Sequence, residues 1–496
     1  MPDMTVQTLN LHHFQNDGAL ALVDSMGEHS RHELFEAIGK VSFVLRDHHN
    51  ARVAIICEPG IEWLVAAFAC WHTGNIAVPL LPSHPVTELS HPILDAEVSL
   101  VMHSQSATNL AHELSQLSHS VTVNISEVLQ SETISDDVVE VSPDTDALII
   151  YTSGTTGKPK GAVHTHKSIA AMVNGMVDAW NWTSADRTIC VLPLNHVHGI
   201  VNVSLCALFV GGILEAPQSF DAHHVWNRFE SREVSVFMAV PTVYSRLTSA
   251  WESASIDQQK VWSTSAARLR LMVSGSAALP VSTLEKWRSI SSHTLLERYG
   301  MTETGMILSN LLDRRVAGHV GWPMPGTDVR IVDETFTDVS LGTAGELLVR
   351  GPQLFNRYWN REDATSESFV EGWFRTGDVG VVEDGGYRLL GRASVDILKT
   401  GGEKVSALEI EETFRLHDAI VDCAVVGLPD DEWGQRVVMA YVPADSSHSP
   451  SDDEFRRWGK GQLAAAKVPT RFLAVEALPR NTLGKVTKKD VIELFL

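Results

Sequence analysis

Short runs rich in β-branched and other apolar residues recur along the first four-fifths of the chain. They include Ala51-Arg-Val-Ala-Ile-Ile-Cys57, Ala147-Leu-Ile-Ile-Tyr151, Thr188-Ile-Cys-Val-Leu192, Val234-Ser-Val-Phe-Met238 and Leu269-Arg-Leu-Met-Val273. Each reads as a buried strand. Between them stand segments with apolar residues at helical spacing, notably 61–72 and 243–254. This alternation predicts an α/β fold with several layers. Polar residues 131–146 read as a connector into the strand that ends at Tyr151.

The pattern changes near Gly391. Beyond it come a helix over about 407–417, strands over 421–428 and 436–442, a charged helix over 452–466, and a basic end with Lys485, Lys488 and Lys489. That set suffices for a small α+β domain. With 496 residues the chain exceeds what one compact core usually holds. The expected organisation is a large domain over 1–391, a hinge at 392–395 and a small, mobile C-terminal domain over 396–496.

Composition narrows the functional classes. A net charge of −22 disfavours nucleic acid and anionic membranes as general partners. Five widely spaced cysteines without a C-x-x-C pair suit reduced thiols in the cytoplasm. No Lys or Arg precedes Arg31, so neither a secretory signal nor a transit peptide is expected. The longest apolar stretch, Gly199 to Leu214, is too short for a membrane span and carries Asn202 and Ser204. Composition leaves the oligomeric state open.

Candidate chemistry starts behind the strand at 147–151. The run Tyr151-Thr-Ser-Gly-Thr-Thr-Gly-Lys-Pro-Lys-Gly161 joins glycines to hydroxyls and two lysines. Glycines let backbone N–H groups turn toward an anion, and Thr152, Ser153, Thr155, Thr156, Lys158 and Lys160 add donors. Such a loop predicts ATP handling. A Walker loop needs four residues before its Gly-Lys pair, but only two separate Gly154 from Gly157, and Pro159 follows Lys158. Across its whole length the run resembles the signature of the adenylate-forming enzymes, which include acyl-CoA synthetases, luciferases and the adenylation domains of peptide synthetases.

Further stretches carry the same resemblance in order. Arg298-Tyr-Gly-Met-Thr-Glu-Thr304 resembles the adenine and magnesium segment. It implies Tyr299, Gly300 and Met301 around adenine, Thr302 at the α-phosphate, and Glu303, with Thr155, as oxygen ligands of Mg²⁺. In Gly372-Trp-Phe-Arg-Thr-Gly-Asp378, Asp378 is the implied ribose ligand, since a carboxylate can accept two hydroxyls at once. Arg392 is implied at ribose or phosphate. Asp396 to Glu411 resembles the opening of the family's mobile C-terminal domain, where Gly401 and Gly402 would let the pantetheine arm of CoA pass. The chain has Ser394 where many relatives carry a charged hinge residue. Leu478-Pro-Arg-Asn-Thr-Leu-Gly-Lys-Val486 resembles the motif whose lysine, Lys485, bridges both reactants as charge grows on the transferring oxygens.

The resemblance implies a two-step reaction. Acid and ATP give acyl-adenylate and pyrophosphate, then the CoA thiol displaces AMP, and domain rotation exchanges Lys485 for the Gly401 face between steps. Leu192-Pro-Leu-Asn-His-Val-His-Gly199 resembles a stretch lining the acyl pocket, with His196 or His198 at its wall. Three segments look closest to malonyl-CoA synthetases: Ser274-Gly-Ser-Ala-Ala-Leu-Pro280, which contains Ser276, Glu297 to Met306, and Gly391 to Asp396. A dicarboxylic acid needs a cation for its second carboxylate, preferably arginine. Arg246 in Val240-Pro-Thr-Val-Tyr-Ser-Arg246 is the first candidate and Arg298 the second. Alternatives are a short- or medium-chain monocarboxylate ligase and a non-catalytic nucleotide-binding regulator.

Overall fold

The computed structural model describes residues 8–9, 17–134, 140–152, 158–445, 449–481 and 484–496. A seven-stranded sheet runs in the order Arg357–Tyr358, Lys160–Thr165, Asp146–Thr152, Ile76–Pro79, Arg52–Ile56, Leu100–His103 and Val121–Asn124. From Asp146–Thr152 onward its strands are parallel. A nine-stranded sheet runs in the order Trp322–Pro323, Gly305–Ser309, Leu296–Met301, Leu271–Ser274, Val236–Ala239, Arg187–Ile189, Ile213–Ala216, Leu20–Asp24 and Gly27–Ser30. It is parallel between Leu296–Met301 and Leu20–Asp24.

One apolar core joins the two sheets through helix Ile61–His72, whose residues are all buried except Glu62. A helix that is apolar on every side belongs between layers. Its start is fixed from afar. The N–H of Ile61 donates to Asp24 Oδ2 at 2.8 Å, where a first-turn carboxylate complements the helix dipole. Gly60 has φ +141°, and a Cβ there would meet the Asp24 carboxylate.

A third, antiparallel sheet of Asp328–Val332, Gly345–Arg350, Trp373–Glu383, Phe369–Val370 and Gly386–Arg392 brings Asp378 to the edge of the large domain. From Ile397 the chain builds a separate five-stranded sheet. Strands Ile420–Asp430 and Gly434–Pro443 form its centre, and its apolar clusters are drawn wholly from residues 398–495. The molecule is an α/β protein with a large N-terminal and a small C-terminal domain.

Two expected elements differ in form. The charged helix expected over 452–466 stops at Lys460. Gly459 packs against the Phe414 ring and Gly461 follows as the C-cap, where the charged residues of the segment also end. The apolar stretch 199–214 folds into a buried π-helix His198–Leu205, helix Cys206–Phe209 and the start of strand Ile213–Ala216. Among the described residues no helix is long and apolar enough to cross a membrane.

Phe414 is fully buried in the small domain, with ring centroids of Trp458 and Phe472 at 5.2 and 5.6 Å. Replacing it with Ala should cost about 3–5 kcal/mol. Urea unfolding followed by tryptophan fluorescence should show a new early transition as this domain opens before the large one.

Candidate active site

Strand Leu296–Met301 ends where Thr302 and Glu303 begin, and its parallel neighbour Leu271–Ser274 ends at Gly275 and Ser276. These strand ends bring the candidate groups to one cleft. Glu303 is buried, and its Oε1 accepts the Tyr358 hydroxyl at 2.8 Å. Tyr358 also lies under Lys160, whose Nζ stands 5.0 Å from the ring centroid. The Thr302 carbonyl accepts from His164 Nε2 at 2.7 Å, while His164 Nδ1 faces the Ser168 hydroxyl at 3.3 Å. Burial lowers the His164 pKa to about 4, so at neutral pH the ring carries its one proton on Nε2 and holds Thr302 by a fixed donor.

Asp378 occupies the opposite wall. Its Oδ1 accepts Arg392 Nε at 2.9 Å and its Oδ2 accepts the Tyr299 hydroxyl. Burial lowers the Arg392 pKa, but the Asp378 charge outweighs this and leaves it above its ordinary value. Tyr299 is raised well above the phenol range, first by burial and then by Asp378. The Met301 sulfur lies 4.0 Å from Arg392 Nη2, and Gly300 has no room for a side chain against the Gly305 carbonyl.

A second constellation lies beside the strand ends. His198 Nδ1 is 3.0 Å from Ser276 Oγ, which also faces Arg298 Nη1 and Nη2 at 3.4 Å each. Arginine can only donate, so the Ser276 hydrogen goes to His198 Nδ1. Burial, followed by the Arg298 charge, holds the His198 pKa well below its usual value. The neutral ring therefore keeps a proton on Nε2, which has no partner among the described residues. Arg298 is 4% exposed, and its Nε is likewise unpartnered among them. Burial lowers its pKa to about 9, which still leaves a cation at neutral pH. Adjacent Glu297 points to the other face of the strand, raised to about 8 by burial and bonded to the Gly318 N–H at 2.9 Å.

The small domain supplies Lys485. Its side chain is exposed, with Arg392, Asp378, Arg298 and Glu303 near enough to act on its charge. Burial first, then Arg392 and Arg298, lower its pKa, opposed by Asp378 and Glu303. His196, lowered to about 4 by burial and then by Lys485 and His84, stands within the same field. The structure thus gathers Thr302, Glu303, Asp378, Arg392, Ser276, Arg298, His196, His198 and Lys485.

Ser153, Gly154, Thr155, Thr156 and Gly157 fall outside the described residues, between Thr152 at a strand end and exposed Lys158. Gly401 and Gly402 form an exposed hairpin turn at φ +58° and +84°, with Gly401 against the Trp433 ring. Arg246, placed first for a distal carboxylate, is exposed and stacks over Phe220 at 4.5 Å. It lies one helical turn from Thr242, which faces Gly484. The buried cation is Arg298. Nothing in the local sequence marked His164 or Tyr358, because their partners are 138 and 55 residues away.

The model of the AMP-binding enzyme family matches residues 12–359, and that of the AMP-binding enzyme C-terminal domain matches 409–485. The chain belongs to the AMP-binding enzyme family. The mitochondrial malonate–CoA ligase of Mus musculus is 43% identical to this AMP-binding enzyme over 96% of the chain and 88% of its own length. Among solved structures, ATP-bound MatB from Rhodopseudomonas palustris superposes with a TM-score of 0.91 at 32% identity, covering 98% of this chain and 99% of that one. A malonyl-CoA ligase in a ternary product complex with methylmalonyl-CoA and AMP gives 0.68 at 34% identity, covering 94% and 98%.

In an AMP-binding enzyme a single carboxylate suits Mg²⁺, which keeps several waters and takes much of its coordination from phosphate. Glu303 fits that use: Tyr358 fixes one of its oxygens. Among the described residues there is no cluster of three or more metal-ligating side chains.

Asp378→Asn would weaken two charge-assisted bonds and leave Arg392 without its counterion. Calorimetric titration with AMP should show binding weakened by about ten- to a hundredfold.

Proposed function

We propose that this AMP-binding enzyme is an ATP-dependent, AMP-forming acid–CoA ligase acting on a small dicarboxylic acid, malonate in the first instance. The observation that carries the acid is Arg298. Among the described residues no carboxylate pairs with this buried guanidinium, and an unpaired buried ion is costly for a protein to keep, because its desolvation amounts to several kcal/mol. A carboxylate on the substrate offsets that cost, whereas an alkyl chain does not. The similarity to malonate–CoA ligases supports the same reading.

In the proposed first step one malonate carboxylate attacks the α-phosphorus of ATP, forming the mixed anhydride and expelling pyrophosphate. The other carboxylate meets Arg298, with neutral His198 offering its Nε2–H to the same acid. Asp378 is assigned to ribose, Thr302 to the α-phosphate, and Lys485 to the oxygens on which charge develops. Gly154, Gly157 and the hydroxyls between Thr152 and Thr156 are assigned to phosphate with Lys158 and Lys160. Mg²⁺ on Glu303 and Thr155 would neutralise phosphate charge. In the second step the CoA thiolate attacks the acyl carbon and AMP leaves. For that step the small domain is proposed to turn about residues 392–395, withdrawing Lys485 and presenting Gly401 and Gly402. All five cysteines are free and buried, as suits a reducing compartment. Our assignment is the cytoplasm, although the animal relative is mitochondrial by name.

The test is acid-dependent pyrophosphate release, with and without CoA, across malonate, methylmalonate, acetate, butyrate and longer acids. Malonate should give the highest kcat/KM. Preference for butyrate would replace the dicarboxylate reading by a monocarboxylate ligase, and no release with any acid would leave a nucleotide-binding regulator. Arg298→Met should raise the KM for malonate by about a hundredfold or more with little change for ATP. Arg246→Met should raise it far less, given its stacked and exposed position.

The lysine has its own signature. Lys485 acts as a cation and its pKa is lowered, so the adenylation rate should fall as pH rises through a midpoint below the usual lysine value. Lys485→Arg, which stays charged, should move that alkaline limb upward even where the maximum rate drops. A limb at the ordinary lysine pKa, unmoved in the variant, would remove Lys485 from this role.

A further inference from the structure

We infer that Glu412 and Lys404 are positioning residues for adenylate formation, docking the small domain so that Lys485 stands in the cleft. The inference rests on the proposed ligase reading and adds to it the contacts that select one domain arrangement. Helix Val281–Ser291 of the large domain begins after Pro280, which provides no side-chain cap. The N–H of Val281 instead donates to Glu412 Oε2 of the small domain at 3.1 Å. A carboxylate at the first N–H of an 11-residue helix meets both an orphan donor and the positive end of the dipole. Arg415 Nη1 holds the other oxygen, Oε1, at 2.7 Å and so fixes the carboxylate in that orientation.

Two further contacts cross the same boundary. Lys404, two residues beyond Gly402, pairs with Glu334 of the large domain at 2.6 Å. The Lys485 turn rests on helix Pro241–Ser253, close enough that a Cβ on Gly484 would lie 2.8 Å from Thr242 Oγ1. All three are remote in sequence from 392–395, so a rotation there must release them together. Arg415 also bonds Glu411 and Asp422, at 3.5 and 3.3 Å. Loss of Glu412 therefore leaves Arg415 paired and the small domain's own fold supported.

The experiment separates the two half-reactions in the full-length enzyme. Malonate-dependent ATP–pyrophosphate exchange reads the first, and AMP release on mixing adenylate-loaded enzyme with CoA reads the second. Glu412→Ala should lower the ratio of first to second rate by about three- to thirtyfold, and Glu412→Gln, which keeps an acceptor without charge, by less. Lys404→Glu should lower the ratio more modestly, and the exchange Lys404→Glu with Glu334→Lys should restore it. Thermal midpoints should stay close to that of the unsubstituted enzyme. An unchanged ratio in Glu412→Ala, or a fall of both rates together, overturns the inference. Failure of the ligase reading shows separately, as no acid-dependent exchange in the unsubstituted enzyme.

Discussion

The Asp378 carboxylate is shared by two donors that belong to different parts of the molecule. Tyr299 reaches it from the nine-stranded sheet, and Arg392 from the end of the last strand before the small domain. Each donor answers one oxygen, so the carboxylate fixes the wall of the cleft and the start of the connecting segment at once. Under the proposed assignment, a nucleotide hydroxyl arriving there meets an acceptor already oriented by both donors. The cost of burying the aspartate is offset by Arg392, whose raised pKa records the same coupling from the other side.

The cleft reverses the sign of the molecule. A chain with net charge −22 places Arg298, Arg392, Lys485 and Lys160 around a small volume, and two neutral histidines, His196 and His198, add donors without adding repulsion. Burial lowers the pKa of Arg298, and burial, followed by Arg392 and Arg298, lowers that of Lys485. Under the proposed function, anionic reactants would offset that crowding of positive charge, so binding and electrostatic relaxation would point in one direction.

Local pattern carried much of the fold. Helix Ile61–His72 has the expected limits, since twelve residues with one polar interruption have no stable place except between layers. The helix from Asp452 ends at Lys460, with the last of its charges, although the alanines at 464–466 favour helix locally. Motif glycines and carboxylates such as Glu303 and Asp378 stood out because their neighbours in sequence are also neighbours in space. His164, Tyr358 and Glu412 did not, since each acts on a group brought near only by folding; Val281 lies 131 residues from Glu412. Arg246 and Arg298 differ in burial, which no short segment encodes.

The ion pair between Lys404 and Glu334 sits in open solvent, where such pairs are weak and sensitive to salt. An enzyme that used one face of a small domain for each of two chemical steps would be stalled by a strong clasp as surely as by none. Faster adenylate formation would be bought with slower thioester release. Under the proposed two-step reaction, weakness at that contact would leave the small domain free to turn, and ionic strength would become a dial on which step limits turnover.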